Sequence, residues 1–345
     1  MAFLRLTFCL ALVLAGLFPL PALAAQQPPR VLNLYTGRHY DTDQRLYDLY
    51  SAVTGVTINV IQGDADQLIE RIRAEGAASP ADVLLTVDAG RLWRAETLGL
   101  CQPVQSDYLN RRIPEYLRHP AGLWYGFTKR ARVIVYAKDR VSPADLSTYE
   151  DLANPKWRGR LLVRSSSHVY NLSLAGSLIA AHGEEFVEEW ARGVARNLAR
   201  PPQGGDIDQL RAVAAGLGDI ALSNHYYFAR LIASANPEDR AAAAALDIFF
   251  PNQLDRGTHV NISGGCVVAT APNRAEAVDF LEFLASDGAQ AIFALGNQEY
   301  PVVAGQLLSP ILDRWGPFRE DTLNAAVFGA NTARALILLN RAGWR

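Results

Sequence analysis

Three short polar stretches of this sequence place tyrosines beside serines, histidines and arginines. They are Arg38-His39-Tyr40, Ser165-Ser166-Ser167-His168-Val169-Tyr170-Asn171 and Ser223-Asn224-His225-Tyr226-Tyr227-Phe228-Ala229-Arg230. An ionised phenol is a hard, anionic oxygen donor, and a group of them suits a hard, highly charged cation such as Fe³⁺. Free tyrosine titrates near pH 10, but a bound metal ion deprotonates its ligands at neutral pH. Three or four phenolates would roughly cancel a threefold positive charge. Softer metals call for Cys, Met or several His, and calcium for carboxylate and carbonyl oxygens, of which these stretches offer few. Arg230 follows Tyr226 and Tyr227 by four and three residues, so on a helix it reaches the same turn and balances excess negative charge.

A lone tyrosine is most often a packing residue, the reading given to Tyr47, Tyr50, Tyr136 and Tyr149. Tyr226 and Tyr227 are adjacent and point different ways, yet as a bare pair they are still better explained by packing. The serines at 165–167 suit a helix N-cap and equally an anion-binding turn. Spacing alone does not decide between these uses.

The elements that must position these residues follow from periodicity. Val31–Tyr35 reads as a strand, residues 43–53 as an amphipathic helix closed by Gly55, Thr57–Ile61 as a second strand and Asp64–Glu75 as a second helix. Asp82–Val87 and Ala89–Leu98 repeat the strand–helix pair, so the class is α/β with parallel βαβ units. Trp124–Ala137 is one extended stretch, longer than an ordinary strand, and a second is expected over Ile248–Pro251 and Val260–Ala269. Two such stretches can cross between domains as hinges, and in open α/β sheets the sites lie in loops at the carboxyl ends of strands. The expected division is a signal segment at 1–24, one lobe at 30–128 plus 255–301, and a second at 129–254 plus 302–345.

The N-terminal expectation rests on Arg5, the apolar run Leu10–Phe18 and the triplet Ala22-Leu23-Ala24, the pattern of a cleavable secretory signal. The run is too short to span a bilayer. No twin-arginine pair precedes it, which favours export before folding and loading afterwards. The remainder, about 320 residues, suits two domains. With 33 basic and 35 acidic residues, the chain has no basic stripe for a nucleic-acid partner and no polybasic membrane patch. Cys101 and Cys266 lack metal-ligand spacing; they can pair in an oxidising compartment or stay as separate buried thiols. No Gly-x-Ser-x-Gly elbow, HExxH or phosphate-binding glycine loop is present, which argues against an enzyme.

The sequence resembles the periplasmic ferric-iron-binding proteins of iron ABC importers, specifically the cyanobacterial-type group that binds iron without a synergistic anion. Besides the three tyrosine stretches, the resemblance runs through Gly63–Ile72, Gly126–Tyr136, Leu146–Leu152, Gly257–Gly264 and Asn297–Val303, covering nearly all of the chain after the signal. It implies a two-lobed type II binding protein with iron in the interdomain cleft. Tyr40, Tyr170, Tyr226 and Tyr227 are the implied ligands, His39 an occasional fifth, and Arg230 the arginine beside them. It further implies Fe³⁺ as transported ligand, a periplasmic location, a monomer, and delivery to an inner-membrane ABC permease. The rival expectation is a binding protein of the same fold for an organic or oxyanion solute. One departure is Cys266, where the group carries a small residue such as Gly.

Overall fold

The computed structural model describes residues 29–38 and 40–345; the expected signal segment at 1–24 and the candidate His39 lie outside them. Strand β1 (Val31–Thr36) leads to helix Asp43–Thr54, which ends at Gly55 with φ 73°, its N–H bonded to the Ser51 carbonyl. Only a residue free to adopt the left-handed region closes a helix in this way without strain. β2 (Thr57–Gln62) is followed by helix Ala65–Glu75, capped by the Asp64 carboxylate on the Asp66 and Gln67 amides. β3 (Val83–Val87) and helix Ala89–Thr97 complete the first set, and β4 (Cys101–Gln102) follows.

β5 (Tyr125–Ala137) has 13 residues, roughly twice an ordinary strand. The remaining strands are β6 (Leu161–Leu162), β7 (Ile220–Asn224), β8 (Leu246–Phe249), β9 (Val260–Val268) and β10 (Tyr300–Pro301). The sheet runs in the order β2-β1-β3-β9-β5-β7-β6, with β8 and β10 on β5 and β4 on β9. β1 is parallel to β2 and β3, and β6 to β7, but β9 is antiparallel to both β3 and β5. Expected parallel units therefore flank a central antiparallel pair. β5 pairs with β9 over its first half and with β7 and β8 over its second, so one continuous strand belongs to both halves of the molecule.

The second long stretch is divided. β8 and β9 are separated by turns in which Asn252 and Gly257 take φ of 61° and 96°. Close approach in the central pair depends on glycine: Gly126 faces Gly264, and a Cβ on Gly264 would lie 2.5 Å from the Tyr125 carbonyl oxygen.

One core gathers Leu32, Leu84, Trp124, Ile262, Phe280 and Phe293. The second half of β5 has a core on each face, Ile134 and Tyr136 with Trp157 and Trp190 on one side, Val133 and Val135 with Leu210 and Phe228 on the other. Alternating residues of a strand point to opposite faces, and with both faces covered every residue from Ala131 to Ala137 is buried. The chain is thus a two-lobed α/β protein. Among the described residues no helix is long and apolar enough to cross a membrane.

Cys101 and Cys266 form a disulfide with Cα atoms 5.7 Å apart, tying β4 to β9. The question left open by the sequence is settled by sheet geometry, because β9 carries Cys266 past the short β4. Replacing both cysteines by serine should lower the unfolding free energy by about 2–5 kcal/mol. Urea titration of the double variant against the oxidised parent measures it, and coincident curves would show that the bond adds nothing.

Candidate metal centre

Two of the three tyrosine stretches are helix starts rather than loops. Tyr170 is the second residue of helix Val169–His182, and Tyr226 and Tyr227 are the second and third of helix His225–Ile232. Both helices follow strands of one half of the sheet, β6 and β7, which are neighbours. Tyr40 comes from the turn between β1 and its helix.

These placements bring the phenols together. The Tyr226 hydroxyl donates to the Tyr170 hydroxyl at 3.0 Å. The Tyr227 ring lies 4.3 Å from that of Tyr226 and 6.5 Å from that of Tyr170. Tyr40 accepts a hydrogen bond from Arg130 Nη2 at 2.9 Å, and the same guanidinium lies 5.3 Å from the Tyr226 ring. Arg230 completes the enclosure, 4.6 Å from the Tyr40 ring and 5.1 Å from that of Tyr226. Among the described residues no carboxylate pairs with Arg230, and no cluster of three or more His, Cys, Asp or Glu could hold a metal ion.

Burial raises the pKa of Tyr40, which Arg130 partly offsets and the nearby Glu299 reinforces. Tyr170 is raised by burial and then by Tyr227. Tyr226 is raised by burial and then by Tyr170, Tyr40 and Tyr227. These three phenols are therefore protonated at neutral pH until something stabilises their anions.

His168 takes a supporting position. It caps the helix of Tyr170 by accepting that residue's N–H on Nδ1 at 3.3 Å, and its ring meets the Tyr170 ring edge-on at 4.3 Å. Burial and the neighbouring Arg164 hold its pKa down to about 3, so the ring is neutral and able to accept. Ser165 Oγ lies 2.9 Å from Ser167 Oγ and the Ser165 carbonyl accepts from Asn171 Nδ2 at 3.0 Å, while the buried Ser166 hydroxyl has no partner among the described residues. Beside the phenols opens a cleft of about 540 Å³ lined by Gly37, Gln62, Asp64, Arg91, Arg164 and His168 with Tyr170 and Tyr227.

The charged scaffold beneath the phenols was not singled out from the sequence. Arg130 Nε donates to Glu299 Oε1 at 2.7 Å, and Arg38 Nη2 to Glu299 Oε2 at 3.0 Å. Arg38 also holds Asp43 in a two-point pair at 2.8 and 3.0 Å. Two residues along β5, Arg132 binds Asp206 at 2.6 Å, Asn224 at 3.1 Å and Asn171 at 2.7 Å. Asn224 and Asn171 adjoin the tyrosine helices, so Arg132 sets both helix starts from one strand position. The available signal was the pair Arg130 and Arg132 inside an otherwise apolar strand, since buried charges persist only when paired.

Residues 78–318 match the model of the bacterial extracellular solute-binding proteins, and the chain belongs to that family. Its similarity is to iron proteins in particular. It is 53% identical over 337 residues to iron uptake protein A2 of Synechocystis, covering 97% of this chain and 95% of that one. It is 28% identical over 290 residues to the major ferric iron-binding protein of Neisseria meningitidis serogroup B, covering 81% and 84%. A solved Trichodesmium protein (IdiA, FutA) in complex with iron and citrate ligands is 56% identical with a TM-score of 0.89, covering 91% of this chain and 100% of that one.

Glu299 sits below the ordinary carboxylate range. Burial alone would raise it, but Arg38 and Arg130 outweigh that and bring it down to about 2. A depressed carboxylate stabilises the fold above its unfolded value, near 4.5, and that contribution is lost as pH falls toward 2. The loss amounts to on the order of 3 kcal/mol. Glu299→Gln should cost about 3–5 kcal/mol at neutral pH by leaving two buried guanidiniums underpaired, and should flatten the acid decline between pH 4.5 and 2. Denaturant unfolding at several pH values tests both, and a variant with the parent's stability and pH slope would refute them.

Proposed function

We propose that this chain captures ferric iron between Tyr40, Tyr170, Tyr226 and Tyr227 and hands it to an ABC permease in the inner membrane. The observation that carries the proposal is the convergence of two phenol groups. Tyr170 and Tyr226 share a hydrogen bond, and Tyr40 is brought to them from the other side of the central strand pair by Arg130. The similarity to iron uptake and ferric iron-binding proteins supports the same cargo. The proposed lobes are 30–128 plus 255–301 and 129–254 plus 302–345; across these bounds Val302, Val303, Ala325 and Phe328 pack with the first core, and Val260 and Tyr300 with the third. Iron bridging Tyr40 to the other three phenols stabilises the closed arrangement, and the closed form is what the permease engages. Residues 1–24 act as the export signal that places the protein in the periplasm as a monomer. His39 remains the proposed occasional fifth ligand.

The chemistry follows from charge. Four phenolates exceed a threefold cation by one negative charge, and Arg230 stands where it neutralises that excess. Loading therefore expels phenol protons, and acid reverses it. Apparent affinity should fall about tenfold per pH unit for each proton released. A spectrophotometric competition titration from pH 8 to pH 5 measures the slope, and a flat profile excludes phenolate ligation.

A binding protein of the same fold for an organic or oxyanion solute is the second reading. It is favoured by the cleft beside the phenols, which is larger than a bare ion needs and exposes Arg91 and Arg164. The two readings part at Tyr226→Phe combined with Tyr227→Phe. The iron reading expects a reddish protein with a phenolate-to-iron absorption band that the double variant loses together with tight binding. Retained colour and affinity would instead support the second reading.

A further inference from the structure

Glu299 and the residue before it occupy one turn, and each reaches a different set of phenols. Gln298 takes φ of 59°, a left-handed conformation that non-glycine residues seldom hold without a structural demand. Glu299 binds Arg130, which holds Tyr40. The Gln298 carbonyl points the other way and accepts from His225 Nε2 at 2.9 Å.

His225 is fully buried and lies directly before the tyrosine pair. Its Nδ1 accepts the Ala131 N–H of β5 at 3.1 Å. A backbone N–H can only donate, so Nδ1 carries no proton and Nε2 carries the one given to Gln298. The ring packs 4.6 Å from Tyr300 and 5.7 Å from Tyr226. The usual N-cap anchor is missing: the Asn224 side chain caps nothing, because its oxygen is held by Arg132.

We infer that His225 is a positioning residue that fixes the rotation of helix His225–Ile232, and with the Gln298–Glu299 turn sets Tyr226, Tyr227 and Tyr40 in register with one another. Successive helix residues are separated by about 100°, so anchoring the first fixes the direction of the next two. A rotation of about 10° would move a phenol oxygen roughly 8 Å from the axis by more than 1 Å, against a tolerance near 0.2 Å for a metal–oxygen bond. Arg130, on the strand position next to Ala131, carries the same registration to Tyr40.

This inference rests on the four phenols forming the iron site, and its test separates the two. His225→Leu removes both bonds, whereas the His225→Gln carboxamide can accept and donate in their place. In the mature protein loaded with ferric citrate, His225→Leu should release iron to excess EDTA at least tenfold faster and shift the phenolate absorption band. His225→Gln should restore both toward the parent. If His225→Leu does not fold, His225→Asn replaces it with the same expected direction, its shorter amide reaching only one partner. A folded Leu or Asn variant with the parent's band and release rate, whatever its melting temperature, overturns the inference. In iron-free protein, ¹³Cζ-tyrosine resonances should shift in the Leu variant and return in the Gln variant. That readout still decides the positioning role if the parent shows no phenolate band and the iron reading fails.

Discussion

A single buried carboxylate determines where much of the cleft can stand. Glu299 accepts hydrogen bonds from Arg130, Arg38 and Thr128, all of them buried. Taking one carboxylate and two guanidiniums out of water costs several kcal/mol per ion unless each finds its partners, so these side chains are held in one arrangement. Arg38 is fixed further by Asp43 and Ser263, and Arg130 reaches Ser263 at 3.1 Å. Because Arg130 also donates to Tyr40, the position of a phenol at the edge of one lobe is dictated by charges on β5 and after the helix Asp287–Asn297. The cleft is preorganised by its floor.

The same logic repeats one pleat further along β5. Arg132 and Asp206 form a second buried pair, and Arg164 shares the Asp206 carboxylate at 2.7 Å. Burial alone would raise Asp206, but Arg132 and Arg164 outweigh it and keep the carboxylate below its ordinary range. Arg130 and Arg132 project to the same side of the strand, as alternate residues must. The first serves Tyr40 and Tyr226, the second the helix starts of Tyr170 and Tyr226. One strand thus carries the electrostatic support for three of the four phenols.

The fold was legible in the sequence because its signals are local. Alternating apolar runs, the Gly55 terminus and the uncommon length of β5 are each visible in a short window. The two apolar runs at Ile248–Pro251 and Val260–Ala269 were also visible, but not that the turns set by Asn252 and Gly257 make them the separate strands β8 and β9 instead of one crossing stretch. Tyr40, Tyr170, Tyr226 and Tyr227 were visible as residue types, but spacing alone left them closer to packing residues. Periodicity also missed that Tyr170 and the Tyr226–Tyr227 pair open helices, because the polar residues before each read equally as loop or cap. Least legible were Arg130, Arg132 and Glu299. Their meaning depends on partners as far apart as 261 residues, a relation that no window of sequence contains.

Charge also explains why a site of protonated phenols can serve a highly charged ion. Burial and mutual proximity oppose ionisation of Tyr40, Tyr170 and Tyr226, so the phenols alone would resist becoming anions together. Arg130 offsets part of that resistance at all three, and Arg230 stands over Tyr40, Tyr226 and Tyr227 without a carboxylate partner among the described residues. A cation placed in advance costs no reorganisation when the anions form, which is where fixed charges act most strongly. On the iron reading, the ion supplies the remaining stabilisation, and only an ion of high charge density supplies enough. Selectivity then arises from the energy needed to ionise crowded, buried phenols, a threshold that weakly charged cations do not meet.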